Sequence, residues 1–264
     1  MNQRHFIKKY AGFVHHLANP FSRIIYRTHD DYGPIEVSDV GSRRNLNFGT
    51  QHLQSSLLKA DPTLLMHQYN RAMLLPLLFH SPQHVTILGL GGGCLANSLY
   101  HHCPALQIQV IELRAAVIET AYRFFQFPRN SRLNVTHIDA RDFLQQATAH
   151  HTDIIFSDMY DACECETLQR EAEFIAQCHR LLNNDGWLVI NYVRGTYLSQ
   201  KWSDAICHWF TDVRICTIPD GNWVILAGKK TISETPQQIK DRSKSLSKQF
   251  GFSFNRSLRK MVSY

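Results

Sequence analysis

The chain has 264 residues, 44% of them hydrophobic and 19% charged, with a formal net charge of +6. That balance excludes a disordered or collagen-like chain and is long enough for one large α/β domain with a substantial core. No apolar run approaches the roughly 18 residues of a membrane span, and the opening MNQRHFIKKYAGFVHHL lacks a signal-peptide apolar stretch, so a cytoplasmic protein with no membrane partner is expected.

The positive charge is local. Residues 229–264 hold nine Lys or Arg against two acidic residues, and the preceding 228 hold 19 against 20. A basic segment of this kind, without a nucleic-acid-binding motif, reads as a helical C-terminal tail with a solvated face, and nucleic acid is not expected as a partner. The cysteines number seven, and Cys163 and Cys165 form C-x-C instead of paired C-x-x-C. Free thiols are therefore expected, and no metal site, because H-E-x-x-H spacing is also lacking.

Residues 1–30 read as an amphipathic or irregular lead-in. From Ile35 to Leu53 the short pieces IEVSDV and NLNFG, broken by Gly41 and Gly49, suggest hairpins and a small antiparallel subdomain, placed at residues 1–60 together with the lead-in. Asp61-Pro62 reads as the start of a helix over TLLMHQYNRAMLLPLLF, kinked or ended at Pro76. Strands are then expected at Val85–Leu88, Ile108–Ile111, Leu133–Ile138, Asp153–Ser157 and Trp187–Tyr192. Helices are expected near Leu95–His101, Ala115–Phe125, Ala140–Gln146 and Gln169–Leu182, followed by a hairpin of Val213–Ile218 and Trp223–Ala227. Alternation of this kind predicts a doubly wound, mostly parallel, Rossmann-like sheet over residues 61–228, with the basic tail at 229–264.

The chemistry gathers around HVTILGLGGGC, His84 to Cys94, where an apolar strand breaks into Gly89, Gly91, Gly92 and Gly93 before a helix. Such a turn lets backbone N–H groups approach a nucleoside or phosphate, with the positive end of the helix behind them. Acidic residues stand at three successive strand ends: Glu112 after IQVI, Asp139 after VTHI and Asp158 after DIIFS. Ligands of open α/β sheets sit beyond those ends. Glu112 follows Gly89 by 23 residues, near the spacing at which a carboxylate meets ribose hydroxyls, and Asp139-Ala140 is placed for the adenine edge. The structural alternative for each acid is to cap the next helix.

These residues resemble the spermidine synthase family of polyamine aminopropyltransferases, which shares its core with class I S-adenosylmethionine-dependent methyltransferases. The resemblance runs from about Ile35 to Ala227 and is carried by LGLGGG, VIE, Asp139-Ala140 and DIIFSDMYDA, with weaker matches at Gln54-Ser55 and Tyr69. It implies transfer of an aminopropyl group from decarboxylated S-adenosylmethionine to a polyamine-type primary amine. In that scheme Asp158 is the base, Tyr69 assists, and Asp161 holds the far end of the amine. Gln54, Gly89, Gly91, Gly93, Cys94, Glu112, Asp139 and Ala140 would hold the donor, and a homodimer is implied.

Three departures accompany the matches. Cys94 stands where the family has an Asp that meets the donor's amino group, which leaves the donor open between decarboxylated and intact S-adenosylmethionine. Arg114 replaces an acid two places after Glu112, and Tyr69-Asn70-Arg71 replaces a Tyr-His-Glu run, putting a cation where an amine would be repelled unless Arg71 is turned away or paired. A methyltransferase and a non-catalytic nucleoside-binding protein remain as alternatives. A helix N-terminus can also activate a thiol, but no His is placed by sequence beside Cys94.

Overall fold

The computed structural model describes residues 22–50, 53–159, 168–219 and 221–264. Four strands, β1 (Ser22–Asp30), β2 (Gly33–Val40), β3 (Arg43–Asn47) and β4 (Leu53–Leu58), form an antiparallel meander in that order. Strand β1 falls within the stretch read as irregular lead-in. Its residues alternate only weakly between exposed and half-buried, so no period-two signal marks them.

The helix expected from Asp61 starts later, as α1 (Gln68–Met73) followed by a 3-10 turn at Leu75–Leu78 that contains Pro76. The reason lies in Asp61, whose Oδ1 accepts from the Thr63 backbone N–H at 3.2 Å and from its hydroxyl at 2.7 Å. These local bonds hold a turn that competes with helix formation.

The main sheet takes up β5 (His84–Leu88), β6 (Gln107–Glu112), β7 (Leu133–His137), β8 (Thr152–Ser157), β9 (Leu182–Val193), β10 (Asp212–Thr217), β11 (Asn222–Gly228) and β12 (Met261–Ser263). Its order is β12-β10-β11-β9-β8-β5-β6-β7. The five strands from β7 to β9 are parallel, and β11, β10 and β12 continue antiparallel. Helices α2 (Cys94–His102), α3 (Ala115–Phe124), α4 (Ala140–Gln146), α5 (Ala172–Leu181) and α6 (Gln200–Trp209) link these strands. The helix read from Gln169 is thus split, its first residues forming a 3-10 turn at Leu168–Arg170.

Alternate residues of the central strands feed two separate cores. Val85, Ile87, Val110, Ile154 and Phe156 pack on the side of the N-terminal sheet, while Leu88, Ile111, Ile155, Leu188 and Ile190 pack with α4, α5 and α6. Continuous apolar runs are what a sheet covered on both faces requires. The C-terminal segment belongs to the first core. Helix α7 (Pro236–Phe250) opens with a capping box at Thr235 and Gln238, and α8 (Asn255–Leu258) follows. Phe250, Phe252 and Phe254 are buried together, and β12 adds an edge strand to β10 that the sequence reading did not include.

Candidate active site

Strand order reverses between the parallel neighbours β5 and β8: β5, β6 and β7 spread one way, and β8 and β9 lie on the other side of β5. The crevice at such a switch point is where an open α/β sheet binds ligands. Gly89 sits in it with φ 91°. A Cβ there would stand 2.5 Å from the Asp158 carbonyl oxygen, so only glycine lets the β5 and β8 ends approach this closely. Gly93, at φ 75°, has the Phe127 ring 2.4 Å from where a Cβ would be. Gly91 and Gly92 meet Ser55 of β4, whose hydroxyl oxygen accepts from the Gly92 N–H at 2.8 Å. The N-terminal sheet therefore forms one wall of the glycine loop.

Glu112 ends β6 and is buried. Its Oε2 accepts from the Leu90 N–H at 2.8 Å and its Oε1 from the Arg114 N–H at 2.9 Å. Burial pushes its carboxyl pKa up, opposed by the N–H groups of Leu90, Arg114 and Gly91 and by the Arg114 charge. Each oxygen keeps a lone pair, so two ribose hydroxyls can still donate to it. Arg114 is turned away: its guanidinium grips Asp30 at 2.8 and 3.0 Å and the Gly33 carbonyl at 2.9 Å, over the Phe48 ring. It fastens the β1–β2 hairpin to the strand end that carries Glu112.

Asp158, directly after β8, shares a cavity with Ser55, Tyr69, Asn70, Gly89, Leu90 and Cys94. Its Oδ1 accepts from Asn191 Nδ2 at 2.9 Å and its Oδ2 from Asn70 Nδ2 at 3.3 Å. Burial raises its carboxyl pKa to about 6, with the two amides pulling the other way. A carboxyl with that pKa is mostly ionised at neutral pH yet basic enough to take a proton. The Cys94 thiol is pushed up to about 12 by burial and by the Asp158 charge, so it is a neutral, unreactive group here.

The remaining candidates are placed as follows. Tyr69 is on α1 and faces the cavity, its ring stacked on His67 at 5.4 Å between centroids. Gln54 is the extra residue of a β-bulge, since Asn47 pairs with Leu53 and Leu46 with Ser55. Bulges commonly re-aim a side chain next to a site. Asp139 is exposed and caps α4, accepting from the Arg141 N–H at 2.7 Å, and Ala140 behind it is buried. Asp161 lies outside the described residues. Arg71 does not face Asp158: its Nε donates to the Leu65 carbonyl at 2.7 Å and its guanidinium stacks on Phe252. The repulsion expected from the sequence is thereby removed. Among the described residues no three His, Cys, Asp or Glu gather as a metal ion would require.

Sequence reasoning missed Asn191 and Asn222. Asn191 is fully buried in β9, and its Oδ1 accepts from Asn222 Nδ2 at 3.0 Å. A signal was present, since Asn191 breaks the apolar run WLVI near the carboxyl end of the strand next to β8. Asn70 was read only as a departure, and it proves to be a ligand of the Asp158 carboxylate.

Comparison with known proteins identifies the family and the fold. The family model described as the spermine/spermidine synthase domain matches residues 66–219. A polyamine aminopropyltransferase of Neisseria meningitidis serogroup A is 28% identical over 231 residues, covering 85% of this chain and 87% of that protein. The crystal structure of a "probable spermidine synthase" from Corynebacterium glutamicum superposes with a TM-score of 0.73 at 20% identity, covering 87% of this chain and 88% of that one. The human methyltransferase-like protein 13 in complex with SAH superposes with a TM-score of 0.62 at 19% identity, over 70% of this chain and 93% of that one. The last two establish the fold. With the family match running from just before α1 to just beyond β10, through the glycine loop, Glu112 and Asp158, the chain belongs to the spermine/spermidine synthase family.

Proposed function

We propose that the protein is an aminopropyltransferase that uses decarboxylated S-adenosylmethionine and a polyamine-type primary amine. The observation that carries this reading is Asp158: a carboxyl with a pKa near 6, beside Tyr69 and facing the glycine loop. Glu112 would hold the ribose, Asp139 and Ala140 the adenine edge, and Gly89, Gly91, Gly93, Gln54 and Cys94 the rest of the donor. An ammonium has no lone pair with which to attack carbon, so the acceptor must first lose a proton. Asp158 takes it, the free amine attacks the methylene next to the sulfonium, and the C–S bond breaks with its electrons moving to sulfur. Methylthioadenosine leaves as a neutral thioether. The family role of Asp161, holding the far ammonium, is part of the proposal, as are a homodimer and a cytoplasmic location.

Methyl transfer is the second reading. It is favoured by Cys94, a neutral thiol that would not repel the carboxylate of intact S-adenosylmethionine. Incubation with both donors in parallel, against putrescine, cadaverine, agmatine and spermidine, separates the two by mass spectrometry. Methylthioadenosine with an aminopropylated amine supports the proposal, and S-adenosylhomocysteine would replace it with methyl transfer.

A further inference from the structure

We propose that Asn222, two strands away from Asp158 in the sheet, is a positioning residue that sets the proton-accepting carboxylate through Asn191. The inference rests on the aminopropyl-transfer reading for its kinetic consequence, and on geometry alone for its structural one. Val224 of β11 pairs directly with Asn191 of β9, and Asn222 pairs with Val193. Asn222 and Asn191 are therefore diagonal neighbours on one face of the sheet, within side-chain reach. Two amides then hold the carboxylate and a third holds one of them. Asn222 Nδ2 donates to Asn191 Oδ1 at 3.0 Å, Asn191 Nδ2 donates to Asp158 Oδ1 at 2.9 Å, and Asn70 Nδ2 donates to Asp158 Oδ2 at 3.3 Å.

The middle amide has two possible orientations, and its partners distinguish them. Turned over, Asn191 would set an oxygen against the Asp158 carboxylate and an NH2 against the NH2 of Asn222. Both contacts would be repulsive, and no water reaches a fully buried side chain to relieve them. The carboxylate, which only accepts, calls for the NH2 of Asn191, and the Asn222 donor on Asn191 Oδ1 reinforces that orientation and fixes where the amide sits. The Asn191 backbone is held independently, because Gln169 Nε2 donates to its carbonyl at 3.2 Å. Loss of Asn222 should consequently free the amide without displacing the strand.

The other groups facing Asp158 leave this control undisturbed. The Cys94 thiol from α2, kept neutral by burial, and the Tyr69 ring from α1 line the same cavity, and the Glu112 carboxylate of β6 is engaged by the Leu90 and Arg114 N–H groups. Arg71 of α1 is turned to Phe252.

The test has two readouts. The first is the pH titration of the Asp158 carboxyl carbon by 13C NMR, assigned by its loss in Asp158→Asn and requiring no activity. The second is the pH profile of kcat for methylthioadenosine release. In Asn222→Ala the NMR midpoint and the acid limb should both rise by about 0.5–1 pH unit, because Asn191, no longer fixed through its Oδ1, donates less well to the charged form. The kcat should fall about tenfold with KM for the donor within about twofold, as misplacement of one reacting group implies. Asn222→Leu, of similar size, uncharged and unable to donate, should do as much, and it serves if the alanine variant does not fold. An NMR midpoint unchanged in both variants would overturn the proposal. If no methylthioadenosine forms even with wild type, the functional reading fails, while the midpoint still decides the positioning.

Discussion

The Asp158→Asn substitution should make the protein more stable while removing its activity. The carboxyl sits in a crevice that raises its pKa from 3.8 to about 6. Because the folded-state value is the higher one, ionised Asp158 opposes folding above about pH 6, and this opposition fades as the pH falls toward 4. A shift of about two units corresponds to about 3 kcal/mol as a ceiling. Residual solvent access and an unfavourable amide–amide contact with Asn70 or Asn191 should reduce the gain to about 1–2 kcal/mol. Urea denaturation of both proteins at pH 8 and pH 5 measures it. The variant should unfold at higher urea at pH 8, with the gap shrinking to about half at pH 5. A variant that is less stable at pH 8, or a gap independent of pH, would refute the argument that burial of this charge tunes the carboxyl.

Three further outcomes follow from the site. Methylthioadenosine should raise the thermal midpoint of the wild type, and Gly89→Ala, which drives a methyl to 2.5 Å from the Asp158 carbonyl, should abolish that rise; a rise retained in the variant would show that the β5 and β8 ends need not approach so closely. Asp30→Ala leaves the buried Arg114 guanidinium without its carboxylate and should cost about 2–4 kcal/mol in denaturant unfolding, whereas a loss below 1 kcal/mol would assign the hairpin's attachment elsewhere. Iodoacetamide at pH 8 should label exposed Cys207 and spare buried Cys94, as read by peptide mass mapping; equal labelling would contradict a thiol held up near 12.

What could be read in the sequence was local. Gly89, Glu112 and Asp158 each stand where an apolar strand meets a turn, and such transitions are visible within a few residues of chain. Asp139 was seen for the same reason, and its side chain performs the capping that was weighed as its alternative role. What escaped was set by distant pairing. Asn191 and Asn222 are separated by 31 residues and meet only because β9 and β11 pair antiparallel. Arg71 and Arg114 read as cations near the site, yet Phe252 and Asp30 draw them off, partners 181 and 84 residues away. The edge strand β12 has three residues and owes its existence to β10 rather than to a pattern of its own.

In the proposed reaction Asp158 accepts the amine's proton during aminopropyl transfer. Initial rates of methylthioadenosine release from decarboxylated S-adenosylmethionine and a panel of primary amines, measured side by side for wild type and Asp158→Asn, test it most directly. Wild type should release methylthioadenosine with activity lost as the pH falls through about 6, and the variant should be at least about 100-fold slower. Equal rates for the two proteins, or S-adenosylhomocysteine formed from intact S-adenosylmethionine in place of methylthioadenosine, would contradict it.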